Sequence, residues 1–315
     1  MEGGWDIHTH LLPVDITEKA QSGAYGMKPG DGFVEVHGFR LQLSAMGRPE
    51  NLVKRIDQDG LDGAVAAAPP PLFRADLPAG ERRGYVDWLN AGVLKASGAD
   101  PRIRAMAYLP TDLPECALEV AASLTPDWAG VIIGTDIGAH SYADEAYHPL
   151  WALLCERRLP VLIHPSESRD RRLAPFYLSN LMGNPMETTL AAAQMIFGDV
   201  PTRYPDLKVI LSHGGGALAQ LVGRWQRGFD SNRPGIKPLG ASPIDAVRWF
   251  YLDTIVHSEA VLELLLKTVG EDHLLLGSDW PFPMGTASAE DDLKHLPDRL
   301  KRKIRLENAG RVFQL

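Results

Sequence analysis

Several short stretches of this chain are apolar without a break, among them Val131-Ile132-Ile133, Val161-Leu162-Ile163, Val209-Ile210-Leu211 and Leu274-Leu275-Leu276. Successive side chains of a strand point to opposite faces, so an unbroken apolar run has to be covered on both sides. Sheets covered on both faces are almost always parallel, with helices as the covering layers. Weaker runs extend the series to eight strand candidates: Trp5–His10, Gly63–Ala68, Ile103–Leu109, Gly130–Thr135, Pro160–His164, Leu207–His213, Trp249–Asp253 and His273–Ser278. Helix-like stretches alternate with them at Pro49–Asp59, Glu81–Ser97, Pro114–Leu124, Glu145–Arg158, Met186–Tyr204, Ala217–Phe229, Ser258–Val269 and Ala289–Phe313. Leu150, Leu153 and Leu154 show the spacing of a core-facing helical stripe. Strand–helix alternation repeated this often predicts a closed (β/α)8 barrel of the TIM type. A doubly wound open sheet is the alternative, but no GxGxxG follows the first strand. A single domain spanning 1–315 is expected, with no internal boundary.

Three segments fit no barrel unit: Leu11–Arg48, Pro165–Pro185 and Asp230–Ser242. Each follows a strand C-terminus or the helix leaving it, where barrel active sites are built, so lids or pocket walls are expected there. The first reads as a loop rich in Gly and polar residues.

The ends of the strands carry the chemistry. The first closes with His8-Thr9-His10, whose imidazoles share a face; the alternative is a strand with two surface histidines. The fifth closes on His164, the sixth on His213 before Gly214-Gly215-Gly216, and the eighth on Asp279 before Trp280-Pro281. A barrel brings all of these to one mouth. Three histidines and a carboxylate suit one divalent ion, Zn2+ first and Mn2+ second, with water completing the shell. The ion would lower that water's pKa towards ~7, and a further histidine beside it would move protons. Alone, each residue has a plainer reading, as a backbone-bonded histidine or a turn aspartate; together they point to a metal site.

Composition excludes other classes. The net charge is −8, with no Lys/Arg run, which argues against nucleic acid or anionic membrane as partner. No apolar run reaches the ~18 residues of a membrane helix. Cys116 and Cys155 form no CxxC and no secretory signal is visible, so a reducing, cytoplasmic setting is expected.

The motifs Asp-Ile-His-Thr-His-Leu-Leu-Pro (6–13), Gly-Val-Ile-Ile-Gly-Thr (130–135), Ile-His-Pro (163–165), Gly-Asn-Pro-Met-Glu-Thr-Thr (183–189), Ser-His-Gly-Gly-Gly (212–216), Val222-Gly223-Arg224 and Leu-Gly-Ser-Asp-Trp-Pro-Phe-Pro (276–283) resemble the amidohydrolase superfamily. Within its amidohydrolase-related family 2, the chain is similar to the aminocarboxymuconate-semialdehyde decarboxylase branch. The resemblance implies metal ligation by His8, His10, His164 and Asp279, with His213 as acid/base beside the metal water. It implies that Arg224 binds a substrate carboxylate across a homodimer interface, the alternative being a solvated helix arginine. It implies a second substrate arginine from the first loop, Arg40 or Arg48, and a substrate or supporting role for His257. The carboxylated lysine that ends the fourth strand of many binuclear relatives has no counterpart in Val131–Thr135, which favours one metal.

Two segments depart from the decarboxylase pattern: Ser166-Glu167 stands for Trp-Asp, and Leu218-Ala219-Gln220 for aromatic-Pro-aromatic. Both should wall the pocket, so the substrate stays open. Trp280 is a pocket wall or core packing. His37, His140, His148, His273 and His295 read as surface or structural, Glu187 as first-turn helix support, and Asp170-Arg171-Arg172 and Lys301-Arg302-Lys303 as solvated charge. The expected activity is metal-dependent, non-oxidative decarboxylation of an unsaturated or aromatic small-molecule carboxylic acid. Hydrolysis of an amide, lactone or ring by the same metal hydroxide is the alternative, and a catalytically dead binding barrel the remote one.

Overall fold

The computed structural model describes residues 3–166, 168 and 170–315, with the side chains of 289 and 290 left aside. Eight parallel strands form one sheet in chain order: β1 (Trp5–His10), β2 (Gly63–Ala67), β3 (Ile103–Leu109), β4 (Trp128–Gly134), β5 (Val161–His164), β6 (Val209–Leu211), β7 (Phe250–Asp253) and β8 (Leu274–Leu275). Backbone bonds stitch the last strand back to the first: Ile7 N–H donates to Leu276, Asp279 N–H to His8 and His10 N–H to Trp280. Outside lie α1 (Pro49–Gln58), α2 (Ala79–Ser97), α3 (Pro114–Ser123), α4 (His148–Glu156), α5 (Asn184–Phe197), α6 (Leu218–Asp230), α7 (Glu259–Val269) and α8 (Asn308–Phe313). This is the expected (β/α)8 barrel. The unbroken apolar runs of β4, β5, β6 and β8 are buried throughout, as coverage on both faces requires.

Boundaries differ where hydrogen bonding, not hydrophobicity, ends an element. The sixth and eighth strands are shorter than the expected Leu207–His213 and His273–Ser278, because the chain beyond Leu211 and Leu275 turns into the mouth. The expected final helix breaks into Ala289–Leu293, Asp298–Arg302, a π-turn over Lys303–Glu307, and α8. Pro297, extended at φ −60° and ψ 147°, caps the start of Asp298–Arg302 and disfavours helix at Leu296 before it, so the parts on either side do not join.

The first excursion is not a plain loop. It holds a short helix (Ile16–Gln21) and a three-stranded antiparallel sheet of Lys28–Pro29, Phe33–Val36 and Phe39–Gln42. Val34, Val36 and Leu41 are buried while Glu35 and Arg40 face outward, the alternation of a half-covered sheet. His37 and Gly38 turn the hairpin at φ 52° and 82°, the left-handed pair that a two-residue hairpin turn needs.

Candidate metal centre

The histidines of β1 lie fully buried at the strand's C-terminal end. His164 closes β5, and Asp279 follows β8 at φ 59° with its N–H on the His8 carbonyl. One ligand atom from each of these four residues lies within 4.8 Å of every other. Asp279 Oδ1 is the common point: His10 Nε2 is at 3.0 Å, His8 Nε2 at 3.4 Å and His164 Nε2 at 3.9 Å. The Nε2 atoms of His8 and His164 are buried without a hydrogen-bond partner among the described residues. Buried polar atoms seldom go unpartnered, and four convergent N/O donors of this kind fit a single divalent cation.

Two of the rings are held so that Nε2 keeps its lone pair. His164 Nδ1 donates to the Pro165 carbonyl at 2.9 Å, and His8 Nδ1 to Asp253 Oδ2 at 2.8 Å. Burial pushes His164 down to about 3 and also lowers His10, so both are neutral donors at physiological pH. On His8 burial acts the same way, but is outweighed by the Asp253 hydrogen bond and by Asp279. Burial acts to raise Asp279; the hydrogen bond from His10 and the close imidazoles of His164, His213 and His8 outweigh it and keep the carboxyl well below its usual value.

His213 stands outside the four. Its Nε2 lies 3.6 Å from Asp279 Oδ2, and its ring centre 5.1 Å from that of His164. It faces the cavity and reaches this place because φ is positive from His213 through Gly216. Side chains are excluded along this turn: a Cβ on Gly214 would sit 2.4 Å from Val256 Cγ1, and one on Gly216 2.0 Å from the Pro185 carbonyl oxygen.

Above the centre opens a cavity of about 1110 Å3. Phe73 and Phe282 stand on either side of its floor. Phe73 stacks on Tyr108 at 4.6 Å and meets His164 edge-on at 6.5 Å, while Phe282 packs edge-on against His10 at 5.2 Å. Ser166 and Gln220 line the cavity as expected, while Glu167 lies outside the described residues and Leu218 and Ala219 are buried without lining it. His257, exposed at φ 52°, lines the mouth.

Other expected residues lie elsewhere. Arg40 is exposed on the outward face of the hairpin, its guanidinium 4.9 Å from the Phe33 ring, and Arg48 is exposed just before α1; neither lines the cavity. Trp280 is partly buried against the core and offers its carbonyl to His10, so it is packing and not pocket wall. Arg224 is exposed on α6, one turn beyond the cavity-lining Gln220.

Conversely, His37, Arg74, Asp76 and Arg171 line the outer wall. Arg74 is buried, forks onto Asp76 through two 2.7 Å hydrogen bonds, and donates to the Tyr25 carbonyl; Asp76 also pairs with His37 at the hairpin tip. The sequence signal for this wall was the His37-Gly38 turn between alternating apolar residues. Arg171 is exposed but faces the cavity, whereas Asp170 is taken by Arg172. At the C-terminus, Lys303 pairs with Glu271 and Asp272, and Lys301 is buried, so that run is not simply solvated. Glu187 accepts from Ser168, tying α5 to the loop after β5.

No helix among the described residues is long and apolar enough to cross a membrane. The amidohydrolase family model matches residues 5–315. The chain is 28% identical over 297 residues to the 2-amino-3-carboxymuconate-6-semialdehyde decarboxylase of Dictyostelium discoideum, covering 89% of this chain and 82% of that one. It is 31% identical over 297 residues to the decarboxylase macB of Penicillium terrestre, covering 88% and 83%. The crystal structure of a dihydroxybenzoic acid decarboxylase from Polaromonas sp. JS666, with bound manganese and the inhibitor 2-nitroresorcinol, superposes with a TM-score of 0.80 at 20% identity, covering 100% and 98%. Sequence, barrel and the strand-end His/Asp group agree: this chain belongs to the amidohydrolase family.

Proposed function

We propose that this protein is a metal-dependent decarboxylase that removes CO2 without oxidation from a planar unsaturated or aromatic carboxylic acid. The observation that carries the reading is the buried His8–His10–His164–Asp279 group with His213 turned onto the same carboxylate at the cavity floor. Phe73 and Phe282 support a flat substrate, since rings on either side of the floor stack best on a planar conjugated system. The relatives named decarboxylases support the reaction type.

His8, His10, His164 and Asp279 would hold the ion, zinc first and manganese second, because this donor set suits either; manganese is what the Polaromonas decarboxylase carries. When bound, it supplies a Lewis acid that polarises an oxygen beside the reacting carbon. His213 Nε2 delivers a proton to the carboxylate-bearing carbon. The bond from that carbon to the carboxylate then breaks, its electron pair restores the conjugation, and CO2 leaves. The aromatic walls exclude bulk water from the floor.

A homodimer is part of the proposal. Met182, Met186 and Leu190 recur every four residues from the cavity rim along α5 and are exposed, as are neighbouring Leu181 and Ile244. Arg224, one turn outward from Gln220, suits a carboxylate-binding fork reaching a second copy's cavity. Free Cys116 and Cys155 suit a reducing compartment. The test is to incubate the metal-loaded protein with hydroxybenzoates, muconate semialdehydes and pyrone acids and to measure CO2 beside acid release. CO2 release is expected; acid without CO2 would assign a hydrolase, and metal-free protein from a chelator-free purification would remove the metal reading.

A further inference from the structure

Asp253, the last residue of β7, is fully buried and surrounded by donors. Its Oδ2 accepts from His8 Nδ1 at 2.8 Å and from the His213 backbone N–H at 2.9 Å. Its Oδ1 accepts from the backbone N–H groups of Gly214 at 2.8 Å and Ile255 at 3.2 Å. A carboxylate is acceptor-only, so the contact with His8 requires the proton on Nδ1. The lone pair is then on Nε2, the buried atom that faces Asp279. The same carboxylate also grips the first two residues of the left-handed turn that presents the His213 ring.

We propose that Asp253 is the positioning residue that makes one unit of the two halves of the centre: it sets the His8 tautomer for metal ligation and anchors the turn that aims His213 at Asp279. The inference rests on the metal reading above. The other buried strand carboxylate nearby does a different job. Asp6 accepts from the backbone of His8 and from Ser278, and so joins β1 to the chain after β8 without touching a ligand ring. Among the described residues, His164 is oriented by the carbonyl of its own neighbour, whereas Asp253 reaches His8 from 245 residues away. A carboxylate behind a ligating histidine fixes its ring and raises its basicity, and losing such a partner typically costs ~10–100-fold in metal affinity.

The isosteric Asp253→Asn replacement tests this. Two donors face each carboxylate oxygen, so the new NH2 opposes two N–H groups whichever way the amide is turned. Either His8 is pushed towards its Nε2–H tautomer or the turn after His213 loses its anchor. The expected result, by competition against a chelator, is metal binding weakened about 10–100-fold, with faster amide exchange at His213 and Gly214. If the variant does not fold, the parent decides: long-range 1H–15N correlation of the metal-free protein should show His8 protonated on Nδ1. An Nε2–H tautomer for His8 in the parent, or parent-like metal affinity and amide exchange in folded Asp253→Asn, would overturn the proposal. A parent with the Nδ1–H tautomer that binds no metal would instead overturn the metal reading on which it rests.

Discussion

His213 and His164 are both strand-end histidines, yet their surroundings give them different work. His164 is nearly inaccessible and has its Nδ1 committed, whereas His213 is partly open to the cavity and lies off the four-donor group. Replacing His213 with Asn should therefore lower kcat by ~10^2–10^4, the usual range for loss of an acid/base group, with metal content by elemental analysis unchanged. Full activity in that variant would exclude the proton-transfer role. His164 also gives a pH signature in the metal-free protein. Burial places its folded pKa at about 3, against 6.5 for the exposed imidazole. Between those values the unfolded chain holds a proton that the folded one lacks, so stability is lost as pH falls through 6.5. By pH 4 the loss is about 3 kcal/mol. Asp6, raised to about 6 by burial, acts in the opposite direction as pH falls from about 6 to 3.8, because there the folded carboxyl binds the extra proton. Urea midpoints between pH 6.5 and 4 should therefore vary less in metal-free His164→Asn than in the parent, and equal slopes would refute the assignment.

The turn after β6 shows how one element brings the proposed acid/base side chain to the mouth. Ser212 is still extended, and the following residues reverse hand, so the His213 ring swings towards Asp279 while Gly216 slides under the start of α5. Gly216→Ala combines a left-handed φ with a clash against backbone. It should destabilise the fold by about 2 kcal/mol or more in urea unfolding, with kcat falling further than stability alone explains. Ala219, buried on the neighbouring α6, carries no such constraint.

At the scale of the molecule, a row of apolar side chains lies uncovered from Met182 into α5, through Met186 and Leu190, beside the cavity rim. A single exposed apolar residue means little, but a contiguous row next to a functional cavity marks an interface. The double replacement Met186→Glu, Leu190→Lys should shift the protein from dimer to monomer in sedimentation velocity. If Arg224 serves a second copy's cavity, the same variant should raise KM with smaller change in metal content. A parent that sediments as a monomer would rule out this arrangement.

The candidate ligands were legible in the chain because each closes an apolar run, and strand direction then carries every such ending to the same mouth. The strand–helix alternation of the barrel and the choice of His8, His10, His164, His213 and Asp279 follow from that local pattern. Asp253 ends its strand in the same way, but only the fold brings it onto His8, across 245 residues. Tertiary structure likewise decided that Phe73 and Phe282 flank the floor, that Arg74 is bound to Asp76, and that Arg40 and Arg48 lie outside the cavity. The physical reason is range: burial and hydrogen bonding along a strand are fixed by neighbours in sequence, whereas a pocket wall is set by how loops from different strands pack over one another.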